Sequence, residues 1–299
     1  MIASGIHLGL DETEYRNDPA ISVSDLKPML ISPRHFWEKK FGKRRRTPPT
    51  PAQMLGTLVH MALLEPDKFT KRVQTLPDDA PKRPTKAQQE SAKPSQSTLE
   101  AIQYWKLWEE KNPNAQIIDQ EMMDQVCGMR DSVMSNKGAA EYFSNCETEV
   151  SVFNTVRLRN TVVRVKGRID CVPNVAKIVD LKTVGSGGAR RDEFSKSMWD
   201  WRYDLQAAYY LDLHNHLFDE WDLDKKKNDF VFVAVEKEAP YAVCLHRVSA
   251  RVLERGRRDY LTLLDRVAEC QTLNEWPGYS DEEAEIDLPQ WAEKKNTSH

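Results

Sequence analysis

Long apolar runs are missing from this sequence: no stretch approaches the ~20 consecutive apolar residues that cross a bilayer. The first residues, MIASGIHLGLDETEY, carry neither the basic segment nor the apolar stretch of a secretory signal. The chain is therefore expected to be cytoplasmic, with no membrane partner. Cysteine pairs are missing as well. The five cysteines, Cys127, Cys146, Cys171, Cys244 and Cys270, are odd in number and far apart, with no C-x-x-C. Neither a disulfide framework nor a zinc site follows, and most of the five read as small core residues. No G-x-x-x-x-G-K-[ST] loop is present, so no ATPase motor or nucleotide cofactor is expected. Nor is there an excess of positive charge: 43 Lys and Arg against 46 Asp and Glu give −3, which argues against a uniformly basic coat for nucleic acid.

What is present suffices for a core, since 40% of the 299 residues are hydrophobic and 30% charged. Charge is unevenly placed. Residues 39–46 read KKFGKRRR, so Lys43, Arg44, Arg45 and Arg46 are candidate phosphate contacts or a solvated turn, and DEEAEID at 281–287 reads as a solvated tail. An N-terminal helical part over 1–66 starts with ISVSDLKPMLISPRHFWEKKF, in which Ser24 can cap one short helix and Ser32-Pro33 can start another. AQMLGTLVHMALLEP then repeats apolar residues at helical spacing up to Pro66 and carries His60. Residues 76–98 have almost no large apolar side chain and read as a flexible loop inside one domain.

Two helical stretches, around LEAIQYWKLWEEK and from about Asp119 to Ser135, give way to strands. TEVSVFNTV, NTVVRVKGRIDCVP and AKIVDLKTV are rich in β-branched residues, with turns at Arg159-Asn160 and Pro173-Asn174, and predict an antiparallel meander. A helix carrying Trp199, Trp201, Leu205, Ala208 and Tyr209, two more strands and a closing helix complete a core over 147–272, followed by a tail over 273–299. The order fits one α/β domain spanning 1–299.

The meander holds the chemistry. Residues two apart on a strand share a face, so Asp180 and Lys182 project together while Val179 and Leu181 pack into the core. A charged pair inside KIVDLKTV is expensive to bury unless it is paired or binds a metal. A short turn brings Asp170 close to Asp180, and two converging carboxylates make a hard oxygen site suited to magnesium or manganese. Acidic-x-Lys spacing also occurs at Glu38/Lys40, Glu109/Lys111, Asp224/Lys226 and Glu293/Lys295, but in polar helical or terminal stretches. The bland alternative is an Asp180–Lys182 ion pair on a solvated sheet face. Glu149, on the first strand, either adds a carboxylate to the metal site or faces solvent. Lys166 and Arg168 share a strand face with Asp170 and either contact phosphates or balance the carboxylates.

GRID at 167–170, IVDLKT at 178–183 and QAAYY at 206–210 resemble motifs II, III and Q-x-x-x-Y of the RecB-like PD-(D/E)XK nucleases, and GTLVH at 56–60 resembles their upstream histidine motif. The N-terminal S-x-S-x-L-K with SPRHFW, and WPGY with LPQWA near the end, are similar to the RecE-type exonuclease domain (exonuclease VIII) and its phage relatives. The resemblance reaches over nearly the whole chain. It implies a restriction-endonuclease-like α/β core, a central mixed sheet flanked by helices with an N-terminal helical segment. It also implies that Asp170, Asp180 and the Leu181 backbone carbonyl hold a metal. His60 would act as a further ligand or contact a metal-bound water.

On the same resemblance Lys182 orients or activates the attacking water, and Gln206 and Tyr210 lie on a helix beside the site, one turn apart. The cofactor implied is Mg2+, with Mn2+ able to substitute. The four cysteines of relatives with an iron–sulfur cluster are missing. The activity implied is 5′→3′ exonucleolytic hydrolysis at the ends of linear double-stranded DNA. It leaves a 3′ single strand for an annealing protein of the RecT type, and the family forms homo-oligomeric rings. A structure-specific endonuclease of the same fold, or a catalytically silent DNA-end-binding subunit, is the alternative.

Overall fold

The computed structural model describes residues 1–42, 48–77, 79–113, 115–158 and 161–288. The chain enters through β1 (Gly5–His7), α1 (Glu12–Asn17), α2 (Val23–Leu26) and α3 (Pro33–Phe41), with a 3-10 turn over Lys27–Leu30. Next come α4 (Pro51–Leu64), α5 (Pro66–Arg72), β2 (Val73–Thr75), α6 (Lys86–Gln89), α7 (Gln96–Lys111), β3 (Gln116–Ile118), α8 (Gln120–Ser135) and α9 (Lys137–Ser144). The meander is β4 (Cys146–Leu158), β5 (Thr161–Pro173) and β6 (Lys177–Val184). It is followed by α10 (Arg191–Asp200), α11 (Tyr203–Asn215), β7 (Asp229–Glu236), β8 (Val243–Arg247) and α12 (Ala250–Leu273).

Six strands form one sheet in the order β1-β4-β5-β6-β7-β8, in which β6 and β7 run parallel and the other neighbours antiparallel. The parallel pair follows from the chain path, because α10 and α11 carry it back across the sheet before β7, as a parallel connection requires. Alternation then gives two cores. Ile178, Phe230 and Phe232 face α11 and α12, whereas Val179, Leu181, Val231 and Val233 face α4 and α8. The sheet is thus covered on both sides, and β6 and β7 are almost continuously apolar for that reason.

Local signals set the helix starts. Thr50 and Gln53 form a reciprocal capping box ahead of Pro51 at the start of α4, Ser32 caps α3 ahead of Pro33, and Asp119 caps α8. At α2 the cap is Ser22, paired with Asp25, and not Ser24, which lies inside the helix. The expected single helix around Trp199 to Tyr209 is two: Arg202 takes φ 52 between α10 and α11, where Asp204 accepts from it at 3.0 Å and Asp259 pairs with it. The 76–98 segment is not structureless either. It contains α6, the Trp105 indole donates to the Pro81 carbonyl at 3.1 Å, and Arg83 stacks on that indole at 4.3 Å. The start of the tail docks, with Trp276 stacked on Phe36 at 5.3 Å. The basic run Lys43, Arg44, Arg45 and Arg46, the Arg159-Asn160 turn and residues 289–299 lie outside the described residues. All five cysteines are free. Among the described residues no helix is long and apolar enough to cross a membrane.

The crossing of α11 and α12 is set by Gly256, where an added Cβ would lie 2.1 Å from the Asp204 carbonyl oxygen. Gly256→Ala gains about 1 kcal/mol of helix propensity but forces the two backbones apart, and overpacking costs about 1–3 kcal/mol. A net loss of stability is expected. Urea denaturation checks it, and a midpoint at or above wild type would refute this packing.

Candidate active site

The sheet opens where the candidate residues meet. β6 pairs with β7 at every position from Lys177 to Val184, yet with β5 only at Cys171↔Val179. Past that point the Leu181 N–H has no ladder carbonyl, and the Asp170 carboxylate takes its place, accepting at 2.9 Å. A buried N–H must find an acceptor, so parting the strands and fixing the Asp170 side chain are one event.

On the other side of Asp170 the β4–β5 ladder is interrupted. Thr148↔Cys171 and Val150↔Ile169 are paired, and Glu149, opposite Asp170 between them, is not. Glu149 sits at φ 51, a left-handed conformation that costs a non-glycine residue about 1–3 kcal/mol. The irregularity turns the strand over: Ile169 lies in the core under α11 and Cys171, two residues on, in the core under α4. His60 arrives from α4, its Nδ1 3.5 Å from Asp170 Oδ2. One ligand-type atom from each of His60, Glu149 and Asp170 lies within 4.8 Å of the others.

Electrostatics at this cluster fit a cation. Burial first, and the Asp170 charge second, push the Glu149 carboxyl up to about 8. Burial holds the His60 imidazole below its ordinary value against the pull of Asp170, so the ring is neutral, the form that ligates metals. Two carboxyl groups and a neutral imidazole converge here, with the Lys182 ammonium within electrostatic reach of His60, and they form a donor set suited to a divalent ion of the magnesium or manganese kind.

Asp180 and Lys182 stand apart from those three, on the α11 face of β6. Lys182 is paired with Asp180, and Gln206 from α11 donates to the other Asp180 oxygen at 2.6 Å. Burial raises the Asp180 carboxyl to about 7 in spite of Lys182. Burial also disfavours the Lys182 ammonium, but Asp180 and Asp170 outweigh it and hold its pKa above the ordinary lysine value. The ion pair of the bland reading therefore exists, but it is buried and not on a solvated face: Asp180 is 1% exposed. Tyr210 packs on Gly167, where an added Cβ would come within 3.0 Å of the phenol ring, and it lines the cleft in front of the cluster. That cleft, of about 1010 Å³, lies between the N-terminal helices and α4, with Lys39, Lys40, Lys68 and Lys237 on its walls.

Two expected DNA contacts have other work. Lys166 is buried and donates to the Tyr15 and Asp18 carbonyls at 2.6 and 2.7 Å. Arg168 donates to Ser151 Oγ at 3.0 Å and the Leu10 carbonyl at 2.7 Å, and lies 3.8 Å from Glu149. Both fasten the N-terminal segment to β5. Sequence reasoning missed Lys27 and Tyr203. The Lys182 ammonium lies 4.9 Å over the Tyr203 ring and Lys27 5.7 Å over it, and burial, then Lys182, lowers Lys27 to about 8. Lys27 had a signal in the S-x-S-x-L-K stretch; Tyr203 had none.

A mixed sheet between helices with acidic residues at an opened strand pair is the architecture of PD-(D/E)XK nucleases. The chain belongs to the family described as a PDDEXK-like domain of unknown function (DUF3799), whose model matches residues 22–288. The crystal structure of a protein from Eubacterium rectale, provisionally described as an exonuclease, is similar over 98% of this chain and 100% of that one. It has 14% identity and a TM-score of 0.55, which speaks for the fold alone. A second structure, of SSO0001, matches 54% of this chain and 67% of that one at 15% identity; its TM-score of 0.26 is too low to argue from. Comparison with curated proteins gives no match.

Glu149 makes a test possible without substrate. Its folded pKa, about 8, stands above the ordinary 4.5. The folded state therefore binds a proton that the unfolded state releases, and in chelator its contribution to stability is lost as pH rises from about 4.5 to about 8. Thermal unfolding across that range is expected to show a smaller decline for Glu149→Gln than for wild type. Saturating Mg2+ or Mn2+ should raise the wild-type Tm at pH 8 far more than that of the variant. Equal responses of the two proteins to metal would remove Glu149 from the site.

Proposed function

We propose that this protein is a metal-dependent exodeoxyribonuclease acting on the ends of linear double-stranded DNA. The observation that carries the reading is the convergence of His60, Glu149 and Asp170 next to the Asp180–Lys182–Gln206 network. In this reading His60, Glu149 and Asp170 hold Mg2+, for which Mn2+ can substitute, and Asp180 is a further carboxylate within electrostatic reach of Asp170. When bound, the ion supplies Lewis-acid charge at the phosphodiester.

The side chains divide the remaining work. Lys182, held protonated by the two aspartates, is a donor and not a base: it orients the attacking water and stabilises negative charge developing on the phosphoryl oxygens. Gln206 fixes the Asp180 carboxylate by occupying one of its oxygens. Tyr210 walls the cleft, and Lys39 and Lys237 on its walls draw the DNA backbone, Lys40 and Lys68 being paired with Asp25 and Glu65. The 5′→3′ polarity, a 3′ single strand handed to a RecT-type annealing protein, and a homo-oligomeric ring around the DNA are supported by the likeness of the S-x-S-x-L-K, SPRHFW, WPGY and LPQWA stretches to RecE-type exonucleases.

Purified protein with Mg2+ is expected to release acid-soluble nucleotides from linear duplex DNA, beginning at a 5′ label, and to spare closed circles. Lys182→Ala and Asp180→Ala should lower the rate by about 100-fold or more, the worth of one electrostatic stabiliser, with folding intact by circular dichroism. His60→Ala should raise the Mg2+ concentration needed for half-maximal rate. Cutting of closed circles would identify an endonuclease, and binding of DNA ends without hydrolysis a silent end-binding subunit; either outcome refutes the proposal.

A further inference from the structure

The end of α10 leaves two large aromatic side chains in water: Trp199 is 58% exposed and Trp201 64%. An indole in solvent forgoes burial worth a few kcal/mol, so two within three residues ask for an occupant. Their surroundings narrow its chemistry. The Arg255 guanidinium of α12 lies 4.3 Å over the Trp199 ring, and Lys27 donates to the Trp201 carbonyl at 2.5 Å. Asp204 and Asp259 are paired with Arg202, Asp204 also lies 3.9 Å from Arg255, and the exposed Asp200 stands between the two tryptophans in sequence. Two exposed indoles flanked by Arg255 and Lys27 are suited to holding unpaired nucleic-acid bases by stacking and an adjacent phosphate by charge.

Its position matters as much as its composition. Lys27 lies over the same Tyr203 ring as Lys182, so one side chain links the Trp201 backbone to the candidate active centre. The left-handed Arg202 fixes the turn between α10 and α11 and with it the presentation of Trp201. The backbone of Trp201 is thereby held beside the Lys27–Tyr203–Lys182 contact.

We propose that Trp199 and Trp201, flanked by Arg255 and Lys27, form a stacking platform for a DNA single strand beside the active centre. This rests on the nuclease reading and adds to it that unpaired bases are gripped by the protein. A duplex end frayed at Lys182 would be kept from re-annealing, because its bases stack on protein instead of on their complement.

Binding of a fluorescent oligothymidylate in chelator, read by anisotropy, tests the platform without hydrolysis. Trp199→Ala and Trp201→Ala should each weaken binding about tenfold, from the worth of one base stacked on an aromatic side chain. Trp→Phe at both positions should restore most of it. Trp221→Ala, an exposed tryptophan beyond the other end of α11, should leave binding unchanged. Wild-type affinity in the Trp199→Ala/Trp201→Ala double variant overturns the platform, as does a change in its oligomeric state by light scattering with oligothymidylate affinity unchanged, which would mark a self-association surface. Hydrolysis of linear duplex by the wild-type protein is scored separately. If it is absent the nuclease reading fails, whereas hydrolysis together with unaltered oligothymidylate binding by the double variant sinks the platform alone.

Discussion

Asp170 accepts the Leu181 N–H at the point where β5 and β6 separate, and the geometry of the whole site follows from that bond. Were the two strands paired to their ends, the sheet would be a closed partition. His60, on the α4 side, could not then approach carboxylates near the α11 side. With the ladder released after Cys171↔Val179, groups from both faces reach one opening. The carboxylate that bridges the gap is itself one of the three converging donors, so any movement of Asp170 disturbs both the strand fork and the cluster.

Such an arrangement is held together against its own electrostatics. Glu149 and Asp170 face each other across an unpaired ladder position, Glu149 in a strained backbone conformation and with its carboxyl raised by burial and by its neighbour. Apolar packing on either side of the opening compensates. Leu181 and Val179 are fully buried under α4, and Ile178 is buried under α11 together with that helix's own Leu205, and each such side chain is worth about 1.5–3 kcal/mol. Local strain of this kind persists where the surroundings over-determine the position. The two cores meet that condition without contributing a reacting group.

Much of this was legible in the sequence because the responsible forces are local. The β-branched runs of the meander, the helical spacing around His60 and the helix starts at Ser32 and Asp119 act within a few residues, and they fall where the residue pattern places them. The juxtaposition of Asp180 with Lys182 was legible for the same reason, since strand alternation is local. What was not legible depends on contacts between distant segments. The left-handed turn at Arg202 is held by Asp259 from α12, and the left-handed Glu149 by its position opposite Asp170. Glu149 therefore looked like an ordinary strand glutamate. Three-residue strands such as β1 carry too few side chains to show a period.

The fate of Lys166 and Arg168 shows why charge on a strand face is a weak guide to ligand contact. Both share one strand face with each other, as alternation requires, yet the N-terminal segment folds over that face and places the carbonyls of Leu10, Tyr15 and Asp18 against them. A buried ammonium needs acceptors, and carbonyls from a segment more than a hundred residues away in sequence supply them. The consequence is structural and also functional. The same N-terminal segment forms a wall of the cleft through Glu12, Tyr15 and Ser22. Lys166 and Arg168 line the same cleft, so the cations that close this wall onto β5 also form part of its surface.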